Sequence, residues 1–294
     1  KLLLLILASL LFVGCSAEPA TEESKKILRV AFGGDVLSLD SNVATDGVSF
    51  EVLTAFTEGL VEYDANDATL PGSGAAESWT VSEDGLEYVF NLKKDAVWSN
   101  GDPVTAHDFV FAWRRLVDPV LANEYSLMAQ NAKLVNADAV IAGDLPVEEL
   151  GVEAVDDFTL KVSLETPVPW FIPLMTFPSF FPMNEKFVTE AGANYATGPD
   201  YLLSNSAFVL TDWVQGSQIV LAKNDKYYDA DKVAIDGIEI SIIADPQTVK
   251  LQYDQGNLDV AAMSGDLVTG YVGTDDAAQP CFTAKAKRPH CAGS

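Results

Sequence analysis

Residues 76–119 read AESWTVSEDGLEYVFNLKKDAVWSNGDPVTAHDFVFAWRRLVDP and carry the sharpest local signals in the chain. The pair Asp84-Gly85 lies between two strand-like runs, as expected of a hairpin turn. Tyr88, Phe90 and Leu92 alternate with Val89 and Asn91, so one face of that strand is apolar. After Trp98 the run SNGDPV is a second tight turn. Thr105-Ala-His-Asp108 then matches a capping box in front of an apolar run, which predicts a helix start worth about 1 kcal/mol. Phe109, Ala112, Trp113 and Leu116 follow at helical spacing, so this helix buries an aromatic face.

Working outward, residues 27–32 (ILRVAF) predict a buried strand stopped by Gly33-Gly34, and residues 49–57 have helical spacing through Phe50, Leu53 and Phe56. Leu60, Val61 and Tyr63 read as a short strand. Residues 158–164 alternate with period two. Pro167, Pro169, Pro173, Pro178 and Pro182 then interrupt an aromatic segment and exclude a long helix or a central strand there. Residues 208–213 and 218–221 predict a hairpin around Gln215-Gly216. Asp245-Pro246 starts a helix that Gly256 closes, before a strand expected at 258–261. The strands and helices are mixed without βαβ repetition.

The balance of the 294 residues is 43 acidic against 18 basic, a net charge of −25. Such a chain is repelled by phosphate backbones and anionic lipids, which argues against nucleic-acid binding and electrostatic membrane attachment. It is nevertheless 48% hydrophobic, with 15 Phe, 9 Tyr and 5 Trp, a composition able to build a core. The first fourteen residues, KLLLLILASLLFVG, would span only roughly 18 Å as a helix, short of a ~30 Å bilayer core, and read as a secretory signal. Cys15, preceded by Gly14, resembles the lipobox of bacterial lipoproteins, with Phe12 where leucine is usual; the resemblance implies lipidation of Cys15. Residues 16–26 are small and polar and read as a flexible tether reaching roughly 36 Å. Residues 271–294 change in composition and read as an aberrant or disordered tail. Cys281, His290 and Cys291 gather there without metal-ligand spacing, so no metal site is expected.

Catalytic chemistry finds little support. Only His107 and His290 are available to shuttle protons, His107 falls within a cap, and no GxSxG, HExxH or phosphate-loop pattern occurs. An acidic pair acting as in a glycosidase is the alternative enzyme reading, and a hydrolase of that kind is weighed against a pure binding protein. Binding, with no enzyme activity and no cofactor, is the preferred expectation.

At residues 76–119 the chain is similar to the extracytoplasmic solute-binding proteins of family 5, and within them to the oligopeptide-binding lipoproteins of peptide ABC transporters. The similarity extends through Leu39-Asp40-Ser41-Asn42, Phe56-Thr-Glu-Gly-Leu60, Asn205-Ser206-Ala207-Phe208, Thr211-Asp212-Trp213 and residues 223–228 (KNDKYY). Ser206 stands where the family has Gly, and Tyr228 where Trp is frequent.

This resemblance implies a mixed α/β clamp of the type II periplasmic-binding-protein kind, present here as a first lobe built from residues 27–58 plus 188–270 and an inserted domain at 59–187. It implies peptide recognition through the ligand main chain, with Asp46, Gly47 and Val48 on the pairing loop and Tyr125 as an aromatic contributed by the inserted domain. It also implies permease subunits as partners, a monomer, and an extracytoplasmic, lipid-anchored location. Family members continue into a second lobe for which this sequence shows no counterpart, so the chain is expected to be C-terminally truncated, with a non-functional fragment as the alternative to a peptide-capturing protein.

Overall fold

In the computed structural model, residues 25–64, 66, 68–263 and 267 are described, and two four-stranded sheets organise them. The lipidation candidate Cys15, the signal, most of the tether, the tail and its Cys281, His290 and Cys291 lie outside the described residues. The strands are β1 (Ile27–Phe32), β2 (Ala76–Val81), β3 (Glu87–Leu92), β4 (Val152–Asp156), β5 (Thr159–Ser163), β6 (Phe208–Val214), β7 (Gln218–Lys223) and β8 (Gly237–Ile242). The helices are α1 (Gly47–Phe56), α2 (Ala106–Val117), α3 (Leu127–Asn131), α4 (Ala137–Ile141), α5 (Phe171–Leu174), α6 (Glu185–Ala191) and α7 (Pro246–Asp254).

One sheet has the order β1-β8-β7-β6. β6 and β7 form the hairpin expected around Gln215-Gly216, with Gly216 at φ +68° in the left-handed region that glycine adopts freely. β1 runs parallel to β8, in register from Ile27↔Gly237 to Phe32↔Ile242. Ile238 and Ile240 are buried around the exposed Glu239, so this sheet turns one apolar face toward α1, where Val52, Leu53 and Phe56 complete the core.

The other sheet has the order β2-β3-β5-β4, entirely antiparallel. One of its two inner strands, β3, buries Tyr88, Phe90 and Leu92 and leaves Glu87 and Asn91 exposed, as the alternation requires. α2 lies over this core. The capping box is present at its start, where Asp108 Oδ2 accepts from the Thr105 amide at 2.7 Å. Phe109, Ala112, Trp113 and Leu116 are all fully buried, and the Trp113 indole donates to the Phe180 carbonyl at 2.9 Å. The proline-rich segment gives only the one-turn α5 and a 3-10 turn, while Phe171, Phe180 and Phe181 fill the space beneath them.

Two expected strands do not form. At residues 60–63 the ladder stops after the Gly59 and Leu60 carbonyls accept from Ala75 and Ala76, because the Glu62 amide turns to the Ser73 hydroxyl at 3.0 Å; Tyr63 keeps a single bridge to Thr69. At 258–261 the Asp259 amide bonds the Arg29 carbonyl once, but the Asp259 carboxylate takes the Arg29 amide and guanidinium, where a strand would offer its next carbonyl.

Polar contacts join the two cores. Asn205 and Glu58 exchange two hydrogen bonds, side-chain amide to Glu58 carbonyl at 2.9 Å and Glu58 amide to Asn205 Oδ1 at 2.8 Å. The Tyr228 hydroxyl donates to Glu58 Oε1 at 2.6 Å and accepts from Lys93 Nζ at 2.8 Å. Burial, and then the Glu58 carboxylate, push the Tyr228 phenol far above its ordinary range, so it stays a donor. Ser99 and Ser204 are cross-bonded, Ser99 amide to Ser204 carbonyl at 2.7 Å.

Candidate binding site

Asp46 caps α1, accepting from the Ser49 amide at 2.8 Å and from the Ser49 hydroxyl at 2.6 Å. The same hydroxyl accepts from the amides of Leu37 and Ser38, so the loop before the helix is bound to its first turn. The Asp46 carboxylate is therefore engaged in holding the local backbone. Gly47 is the exposed element: a Cβ placed there would meet nothing within 4 Å, which leaves the main chain open to an incoming molecule. Val48 is half-buried, with Cγ2 against the Gly34 turn.

Phe50, on the next turn of α1, connects this backbone to Tyr125. Its ring meets Tyr125 edge-on at 5.3 Å and Phe177 edge-on at 4.9 Å, while Tyr125 and Phe177 stack at 5.5 Å with 14° between planes. These are favourable aromatic geometries, and all three rings are only half-buried, so the cluster keeps an accessible apolar surface. Tyr125 is placed by Asn123, whose side-chain amide donates to the last carbonyls of α2, Arg115 at 2.8 Å and Leu116 at 3.2 Å.

The structure thus brings Asp46, Gly47, Val48 and Tyr125 into one neighbourhood, with two residues that sequence reasoning did not select. Phe50 was legible only as part of a helical apolar face. Phe177 sat in a run of aromatics with nothing to separate it from Phe180 and Phe181, which are core. The grouping offers a hydrogen-bonding main chain beside an aromatic surface, a combination suited to holding an extended chain with an apolar side chain. Among the described residues no cluster of His, Cys, Asp and Glu could hold a metal ion, and His107 lies on the surface 3.4 Å from Asp157.

The family model for bacterial extracellular solute-binding proteins, family 5 (middle region), matches residues 71–280. The chain belongs to solute-binding family 5. Tyr125 falls inside the matched range, and Asp46, Gly47 and Val48 precede it. The oligopeptide-binding protein OppA of Bacillus subtilis is 36% identical over 243 residues, which are 82% of this chain and 44% of that protein. Among solved family structures, the substrate-binding domain of an oligopeptide ABC transporter from Bacillus anthracis superposes with a TM-score of 0.81 at 43% identity, covering 85% of this chain and 48% of that one. OppA of Listeria monocytogenes bound to peptide gives 0.81 at 38% identity, covering 86% and 50%. The chain therefore spans about half the length of the family members it matches, and the mixed α/β architecture described above is the family 5 fold over that span. Among the described residues no helix is long and apolar enough to cross a membrane.

Proposed function

We propose that this chain captures oligopeptides outside the cytoplasm for import by a peptide ABC transporter, without catalysis. The observation that carries this reading is the open main chain at Gly47 set beside the half-buried Phe50–Tyr125–Phe177 cluster in a family 5 fold. An extended peptide pairs its backbone with residues 46–48 and rests one side chain on the rings. The two sheets then correspond to two units, a first lobe from residues 27–58 and 188–270 and an inserted domain from 59–187. Permease subunits are the partners, the chain acts as a monomer, and lipidated Cys15 holds it at the membrane. A carboxylate-pair hydrolase has no support from the relatives, whose names are those of binding proteins.

Calorimetric titration of the purified chain with a peptide mixture tests the reading. Saturable heat is expected, reduced roughly tenfold in affinity by Tyr125→Ala, with no hydrolysed product by mass spectrometry. A chain that shows no saturable binding would overturn it. For the anchor, the expectation is a diacylglycerol mass on Cys15 after expression in a bacterial host, and release of Cys15→Ser from the membrane fraction.

A further inference from the structure

The candidate site is assembled from three stretches far apart in sequence, residues 46–50, Tyr125 and Phe177. One arginine is bonded to the supports of all three. Arg115, on the last turn of α2, forks onto Asp40, Nη1 to Oδ1 at 2.9 Å and Nη2 to Oδ2 at 2.7 Å. Nη1 also donates to Asn42 Oδ1 at 3.2 Å. Asp40 accepts from the Asn42 amide through Oδ1 and from the Val43 and Ala44 amides through its carbonyl, so this carboxylate shapes the turn that leads into Asp46. Asn42, only 1% exposed, passes the connection on by donating to the Ser179 carbonyl at 3.4 Å, just beyond Phe177. On its own helix the Arg115 carbonyl accepts from Asn123, which sets Tyr125.

We propose that Arg115 is a positioning residue of the candidate site: its two-point grip on Asp40 sets where the residue 46–48 main chain stands relative to the Tyr125 ring. This rests on the peptide-capture reading above only for its effect on ligand. The chemistry favours arginine. A planar guanidinium paired side-on with a carboxylate fixes both distance and angle, whereas a lysine ammonium is a point charge that swivels. The pair is largely withdrawn from water, with side-chain exposures of 18% and 10%, and the Tyr195 ring covers the guanidinium at 5.9 Å. A buried ion pair is a poor source of net stability compared with apolar packing, but it constrains geometry tightly.

Fluorine NMR of the full chain labelled with 3-fluorotyrosine tests this without any ligand, the Tyr125 signal being assigned by its loss in Tyr125→Phe. Asp40→Asn and Arg115→Lys are expected to move or broaden the Tyr125 resonance while far-UV circular dichroism is retained. Glu153→Gln, which removes a partner of Lys161 on the exposed side of the second sheet at 3.1 Å, is expected to leave it in place. In parallel titrations the two Arg115–Asp40 variants should bind peptide roughly tenfold more weakly than the parent. An unmoved Tyr125 signal in the folded variants would overturn the positioning role, as would loss of folding by both, which would make the pair purely structural. A parent chain that binds no peptide would refute the functional reading alone, and the fluorine spectra would still decide the role of Arg115.

Discussion

Replacing Asp108 with asparagine should flatten part of the pH dependence of stability. Asp108 is 6% exposed at the first turn of α2, and burial raises its pKa from the ordinary 3.8 to about 6, against the opposing pull of the Thr105 amide and the Trp98 indole. A carboxyl that binds its proton more tightly in the folded state makes folding more favourable as pH falls through that pKa. The contribution is absent at pH 7 and grows on acidification. It amounts to about 1.4 kcal/mol at pH 5 and approaches roughly 3 kcal/mol once the unfolded carboxyl is also protonated. The window between pH 7 and 5 lies above the range in which the lowered carboxyls Asp84, Asp156, Asp245 and Asp259 lose their stabilising hydrogen bonds and ion pair, which happens below about pH 4. Because the His107 charge also acts on Asp108, His107 is replaced by glutamine in both proteins so that only the carboxyl differs between them. Urea unfolding followed by tryptophan fluorescence is the assay, since the Trp98 indole donates to Asp108 at 3.2 Å and reports on the site directly. The parent should gain about 1.4 kcal/mol between pH 7 and 5 relative to Asp108→Asn. Parallel curves for the two proteins would show that the carboxyl is not held in its neutral form by burial, and the reasoning would fail.

Other substitutions probe the packing. Ser206 is fully buried and its hydroxyl has no hydrogen-bond partner among the described residues, so Ser206→Ala should raise stability by about 1 kcal/mol, read as a higher urea midpoint. Trp113→Ala empties the centre of the α2 face and leaves the Phe180 carbonyl without its donor, at a cost of roughly 4 kcal/mol, which thermal unfolding should show as a large drop in Tm. Gly74→Ala would place a Cβ 2.7 Å from the Gly59 carbonyl oxygen and 2.8 Å from that of Leu60, backbone atoms with little room to yield; a loss of roughly 3 kcal/mol or failure to fold is expected in the same assay. Gly47→Ala, with open space around it, should leave Tm nearly unchanged.

The parts of the fold that were readable in the sequence are those governed by local chemistry. The Asp84-Gly85 turn, with Gly85 at φ +72°, the TAHD cap of α2, the β6–β7 hairpin and the Asp245-Pro246 start of α7 all appear where turn and cap residues placed them. β4 is not legible in the sequence because only Val152 of its five residues is buried, so no apolar alternation marks it. β8 carries a local signal, isoleucines at 238, 240 and 242 alternating with Glu239 and Ser241. The strand expected at 258–261 failed for a reason no local pattern contains, the diversion of Asp259 to an arginine 230 residues earlier. The candidate site divides the same way. Asp46 to Val48 and Tyr125 came from family resemblance, whereas Phe50 and Phe177 join them only because folding stacks three distant rings together.

The parallel pairing of β1 with β8 imposes a waiting time on the chain. Lys26 and Asp236, at one end of that pairing, are 210 residues apart, so at a synthesis rate of about 5–20 residues per second the first strand emerges roughly 10–40 s before its partner exists. In that interval the whole β2-β3-β5-β4 sheet has been made, and its longest pairing, Glu87 with Ser163, spans 76 residues against the 210 between β1 and β8. The sheet made from the middle of the sequence thus has all its strands before the β1–β8 sheet does. The exposed backbone edge of Ile27–Phe32 is meanwhile the segment most in need of protection from pairing with another nascent chain.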